Sequence, residues 1–169
     1  VRGNLEGVTA HGPSGALLLL SEQASELIVW DPLARRELRR IRLDRNGLLG
    51  RPAGDANNGF EGVAFQEQAG GGTLFLVHQR APAMVVRAAF DLSRVADTLG
   101  ADAVTARWPL AGRGDLTDVT WAPELGRLLV LADKKDRLLV LSPDGHVQAD
   151  VKIPGRQQEG VALGPDGSL

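Results

Sequence analysis

Three glutamates hold the same place in a short pattern that returns along the chain. Glu6 lies in Leu5-Glu6-Gly7-Val8-Thr9, Glu61 in Phe60-Glu61-Gly62-Val63-Ala64, and Glu159 in Gln158-Glu159-Gly160-Val161-Ala162. One further copy, Leu116-Thr117-Asp118-Val119-Thr120, carries Thr and Asp where the others carry Glu and Gly. The steps from Glu6 to Glu61, Glu61 to Thr117 and Thr117 to Glu159 are 55, 56 and 42 residues. Carboxylates brought together repel one another and lose solvation, which they tolerate by binding a cation or sharing protons. An all-oxygen set suits a hard cation such as Ca²⁺. The candidate metal residues are Glu6, Glu61, Glu159 and Asp118, with Asn4, Asp115 and Thr117 as further oxygen donors. A cation there could polarise a scissile group, and Glu61 is the candidate catalytic base.

A second set of polar residues recurs 15 to 17 residues later. Ser21-Glu22-Gln23, His78-Gln79-Arg80 and Ala132-Asp133-Lys134 each follow a dense apolar run. Glu22, His78, Gln79, Arg80, Asp133 and Lys134 are the candidate ligand-binding residues. Their mixed signs suit a small polar or anionic ligand, with Arg80 and Lys134 as the anion contacts. The other histidines, His11 and His146, sit in or beside turns and are expected in solvent. The chain has no G-x-S-x-G elbow, H-E-x-x-H pair, P-loop or dinucleotide fingerprint.

The elements that must position these residues are short strands. Each pattern is followed by a turn-rich gap, such as His11-Gly12-Pro13-Ser14-Gly15 or Gln68-Ala69-Gly70-Gly71-Gly72. Apolar runs come next, at residues 17–20, 74–77 and 128–131, then a second series at 27–30, 84–90 and 138–141. Each unit reads as four strands joined by Gly, Pro, Asp and Asn turns. Four-stranded units of this length, repeated, are propeller blades. The fold class is all-β: a β-propeller represented by about three and a half blades. The blades fall at about 4–56, 57–112 and 113–155, with a fourth starting at 156–169. A β-sandwich would not explain why one signature opens every unit.

In a propeller the first strand of each blade is innermost, so its opening residues surround the channel at one end. Gly7, Gly62 and Gly160 then let backbones approach closely. The connection after the second strand lies on the same rim, which places both polar sets at the channel mouth. Between blades, residues 44–59 read as a long loop. Residues 91–100 read as a short helix, with Leu92, Val95 and Leu99 on one face. Trp30, Trp108 and Trp121 are expected to pack between blades.

Composition narrows the function classes. Nineteen basic residues stand against 21 acidic ones. No basic stripe favours nucleic acid or an anionic membrane surface. With no cysteine, disulfides and thiolate metal sites are excluded. The longest apolar run, residues 16–20, is too short to insert into a bilayer.

These ordered motifs, with Asn57-Asn58-Gly59-Phe60-Glu61-Gly62, Leu128-Leu129-Val130-Leu131-Ala132-Asp133 and Pro165-Asp166-Gly167, resemble the SdiA-regulated (YjiK-like) bacterial propellers. The Asn-Asn-Gly-Phe-Glu-Gly segment is also similar to the esterase-like-phytase propellers. The resemblance implies six blades, a calcium site, and a bacterial protein that is exported, periplasmic or membrane-anchored. Six blades need roughly 250 residues, so the expectation is that blades of a longer parent chain complete the ring. The leading functional expectation is a binding module with a polar site at the channel mouth. The alternatives are a metal-dependent hydrolase of phosphoric or carboxylic esters and a protein-interaction platform.

Overall fold

The computed structural model describes residues 4–51, 58–80, 82–113, 115–155, 158–164 and 168. Three antiparallel meanders account for most of them. The first runs β1 (Leu5–His11), β2 (Ala16–Ser21), β3 (Glu26–Asp31) and β4 (Arg36–Leu43). The second runs β5 (Phe60–Gln68), β6 (Gly71–His78), β7 (Met84–Phe90) and β9 (Val104–Pro109). The third runs β10 (Leu116–Ala122), β11 (Arg127–Ala132), β12 (Arg137–Leu141) and β13 (Val147–Lys152). A two-residue strand, β8 (Thr98–Leu99), joins the outer edge of the first sheet in parallel with β4.

The sheets are stacked face to face, and strand alternation makes this work. Successive side chains of a strand point to opposite faces. On β6, Leu74 and Leu76 enter one core with Leu18, Leu20, Val29 and Ile41 of the first sheet. Phe75 and Val77 enter a second core with Leu116, Leu128, Val130 and Leu139 of the third. The middle sheet is thus apolar on both sides, each fully buried Leu, Val or Phe contributing about 1.5–3 kcal/mol. Val161 and Leu163 cover Ala122, Leu129 and Leu138 on the far face of the third sheet. Phe75 stacks on Trp121 at 6.2 Å and meets Trp108 at 6.1 Å, so these tryptophans do pack at the seam between blades.

Two connections differ from their sequence expectation. The stretch read as a loop begins with a short helix, α1 (Arg45–Leu49), which buries Leu48 and Leu49 and ends on Gly50 at φ 69°. Residues 52–57 of that stretch lie outside the described residues. The stretch read as a helix makes only one turn, with Val95 N–H donating to the Asp91 carbonyl at 2.7 Å. The edge of β4 then captures it. Arg42 N–H donates to the Asp97 carbonyl at 2.8 Å, and Arg39 holds the Val95 carbonyl at 2.7 Å. An unpaired sheet edge outbids a weak helical pattern because each ladder bond satisfies a backbone group. A histidine also moves: His11 is buried rather than solvated. Its Nδ1 is 2.7 Å from Ser14 Oγ, and its ring is 4.7 Å from Phe65. His146 is exposed.

Candidate functional site

The innermost strands β1, β5 and β10 stand side by side, and each opens with the same irregularity. Leu5 pairs with Ser21 but Gly7 with Leu20, so Glu6 is an extra residue in its strand. Phe60 pairs with His78 and Gly62 with Val77, which makes Glu61 the extra residue of β5. Leu116 pairs with Ala132 and Asp118 with Leu131, leaving Thr117 in the same position. A bulge of this kind re-aims the side chain of the unpaired residue. Register also settles the second polar set. Because Ser21, His78 and Ala132 pair with the openers, the residues after them lie on the same rim.

Glu6, Glu61 and Glu22 come together there. One oxygen from each carboxylate lies within 4.8 Å of the others, and all three are half-buried. Gly59 N–H donates to Glu22 Oε1 at 3.0 Å, which anchors that carboxylate against the second blade. Burial pushes the Glu61 carboxyl up to about 8, aided by the charges of Glu22 and Glu6 and a hydrogen bond shared with Glu22, while Arg80 acts in the opposite sense. Glu6 is raised as well, by burial first and then by Glu22 and Glu159. Glu159 is exposed, and its charge reaches Glu6 from the fourth motif.

Asp118 works differently. Its carboxylate turns to the next motif and accepts Val161 N–H at 2.9 Å. Burial raises it to about 6, against the lowering effect of the Val161 and Val119 amides. Thr117 donates its hydroxyl to the Gln158 carbonyl at 3.0 Å. The third blade therefore uses both opening residues to tie down the following segment. Asn4 is exposed at the start of the described chain.

The remaining candidates divide. His78 is fully buried, with Nδ1 3.1 Å from the Pro82 carbonyl and Nε2 2.9 Å from the Asn58 carbonyl. Burial lowers its pKa. It braces the corner that carries Gly59 and has no ring nitrogen left for a ligand at the rim. Gln79 accepts from Arg80 Nε at 3.0 Å, and its carbonyl accepts Leu116 N–H at 3.1 Å. Arg80 and Lys134 converge on Asp115 at 3.5 and 2.9 Å. Asp133 opens the single turn 133–135, and its backbone N–H donates to the Asp115 carbonyl at 3.0 Å. The rim thus carries three carboxylates near the axis and a cationic pair beside them. Sequence reasoning placed Glu22 in the ligand set rather than with the metal candidates. The signal that joins it to Glu6 is the hairpin register, which follows from the tight turn 12–15.

A separate cavity of about 590 Å³ lies at the opposite rim, where His11, Ser14, Glu67 and Asp91 contribute to the lining. It has no part in the carboxylate group. Among the described residues no helix is long and apolar enough to cross a membrane.

Comparison with known proteins accords with this architecture. The SdiA-regulated family model matches residues 2–169. The chain belongs to the SdiA-regulated family. No curated protein matches it significantly. Among solved structures it is similar to hydrazine synthase from Kuenenia stuttgartiensis, at 12% identity and TM-score 0.60, over 99% of this chain and 42% of that one. It is similar to the β-propeller domain of Cps50 (Swd1) from Myceliophteria thermophila, at 14% identity and TM-score 0.58, over 99% and 48%. It is also similar to a PQQ-bound aldose sugar dehydrogenase from Streptomyces coelicolor, at 16% identity and TM-score 0.55, over 86% and 46%. At these identities the likeness establishes the propeller fold alone. The SdiA-regulated chain spans less than half the length of each of these three.

Proposed function

We propose that this part of the propeller is a binding module whose channel mouth holds a divalent, oxygen-preferring cation, Ca²⁺, on Glu6, Glu22 and Glu61. The observation that carries the reading is the approach of three carboxylates, from the openers of two blades and one hairpin connection, to within 4.8 Å. Ligands at 2.3–2.6 Å from Ca²⁺ stand at most about 5 Å apart, so this spacing fits one coordination sphere. The proton that Glu61 retains with Glu22 is the alternative to a cation: either relieves the same repulsion. Arg80 and Lys134, seated on Asp115, would face the anionic part of a ligand bound over the cation.

Calorimetric titration of Ca²⁺ into the chelator-treated chain tests this. Binding is expected at one site, with affinity falling at least tenfold in Glu61→Gln and in Glu22→Gln. Absence of heat in the wild type, or wild-type affinity retained in both variants, would remove the cation.

One observation favours a hydrolytic reading as well. A carboxyl pushed up to about 8 is tuned for proton transfer near neutral pH. With Ca²⁺ held by Glu6 and Glu22 alone and polarising an ester or phosphoester, Glu61, left off the cation, would act as the base on water. Turnover of p-nitrophenyl phosphate or p-nitrophenyl acetate that needs Ca²⁺ and is lost in Glu61→Gln supports it. Turnover no faster than buffer for both compounds leaves the binding module alone.

A further inference from the structure

The third sheet carries a basic hollow that the carboxylate site does not use. Arg113, Lys135, Arg137 and Lys152 line a cavity of about 430 Å³ together with Gly112 and Asp150. Separate parts of the chain supply them. Gly112 and Arg113 come from the link between β9 and β10, and Lys135 from the turn after β11. Arg137 and Lys152 are register partners on β12 and β13.

The charges in this hollow do not balance. Asp150 is the one acid in the lining, against four basic side chains. Two guanidiniums share it: Arg113 through Nη1 and Arg137 through Nε. Arg137 Nη2 also donates to the Asp150 carbonyl at 3.0 Å. Arg137 and Arg113 together hold the Asp150 carboxyl below its usual range, so it stays ionised and keeps both forks turned inward. Lys135 Nζ rests on the Gly112 carbonyl. The Lys152 ammonium has no hydrogen-bond or ion-pair partner among the described residues, although its backbone pairs with Arg137 in the sheet. Among the described residues of the lining, four basic side chains against one carboxylate leave a net charge of +3 in one concave site. Cations converging from several segments are a poor arrangement for stability, since like charges within a Debye length repel. Two planar forks and two ammonium groups are, however, a good arrangement for the oxygens of one tetrahedral anion.

We propose that this hollow binds a tetrahedral oxyanion of the phosphate or sulfate class, with Asp150 orienting Arg113 and Arg137 and Lys135 and Lys152 completing the charge. The role given to Asp150 has a distinctive consequence. As an orienter it also competes for the guanidiniums, so neutralising it raises anion affinity.

Inorganic phosphate and sulfate, titrated into the chain at constant ionic strength and followed by backbone amide chemical shifts, test the assignment. Shifts are expected around residues 112–113, 135–137 and 150–152. Lys152→Glu, at an exposed position, should weaken phosphate at least tenfold without altering the far-ultraviolet dichroism. Asp150→Asn should strengthen it several-fold, and Glu61→Gln should leave it unchanged, which separates this site from the cation site. Chloride producing the same shifts as phosphate would reduce the hollow to general charge screening and overturn the proposal. Unchanged affinity in Lys152→Glu would overturn it too. Should Asp150→Asn lower the melting temperature, Lys135→Glu replaces it as the second variant, and undiminished phosphate affinity there would overturn the assignment.

Discussion

Blades one and two open with Glu-Gly, whereas blade three opens with Thr-Asp, and the same backbone position does two different jobs. In the first two, the glutamate swings to the axis and the glycine lets the next blade come close. A Cβ on Gly7 would lie 3.0 Å from Val63 N, and one on Gly62 would lie 2.6 Å from Asp118 Cα. In blade three the side chains turn outward to the next segment: Thr117 holds the Gln158 carbonyl and Asp118 the Val161 amide. Backbone contact joins blades one to two and two to three, and side-chain hydrogen bonds join blade three to the segment after it. A departure from a repeat motif can therefore replace one way of closing a seam with another, at the expense of one axial carboxylate.

The contrast predicts a graded set of responses. Gly62→Val should be the most damaging, because the atoms in the way are backbone: Asp118 Cα at 2.6 Å and Val119 N at 2.9 Å. Overpacking of this kind costs about 3 kcal/mol, to be read from urea unfolding; a loss below that of Gly7→Val would refute the ordering. Asp118→Ala should cost about 1–2 kcal/mol by orphaning the Val161 amide. Asp118→Asn, which keeps an acceptor, should cost less. If the two variants melt together, the hydrogen bond is not what holds the segment.

The pH response separates the two solutions further. Glu61 titrates at about 8 in the fold and near 4.5 when unfolded. The folded state then holds the extra proton between these values, so its contribution is complete below pH 4.5 and is lost as pH rises toward 8. For Asp118 the corresponding window runs from 3.8 to about 6. In chelator, the melting temperature should decline across pH 4.5–8 in the wild type and flatten in Glu61→Gln. Asp118→Asn should flatten only the lower part. Added Ca²⁺ should reverse the decline above pH 7, since it takes the place of the proton. The smallest effect belongs to Gly160→Ala, whose Cβ meets nothing nearer than Asp118 Oδ2 at 3.9 Å. Its stability should stay within about 0.5 kcal/mol of wild type. A larger loss would mean that the fourth motif also relies on backbone approach.

Much of the architecture was legible in the sequence. Turn residues and alternating apolar runs marked the four-stranded units, and the recurring Glu-Gly-Val marked the innermost strands. Glu6 and Glu61 share one place in the repeat, and the structure sets their carboxylates within 4.8 Å of one another. Glu22 was less visible, because its membership depends on register across a hairpin. Asp118 matched the acidic pattern by type, but its direction depends on how near the next segment lies. His78 carried the composition of a rim residue, yet the corner at Asn58 and Pro82 drew it inside. His11 followed the same rule at the other end of its strand, where Phe65 and Phe90 made an aromatic wall for it. Residues 91–100 had one helical face, but its apolar members also suited a turn pressed on the first sheet.

By itself the sequence determined the strands, their turns and the repeat, because side-chain alternation and turn chemistry are local properties of a few neighbouring residues. Only the tertiary structure decided which acids meet and which face the next blade. Those outcomes depend on one-residue bulges and on the separation of neighbouring sheets, and neither is encoded within any single motif.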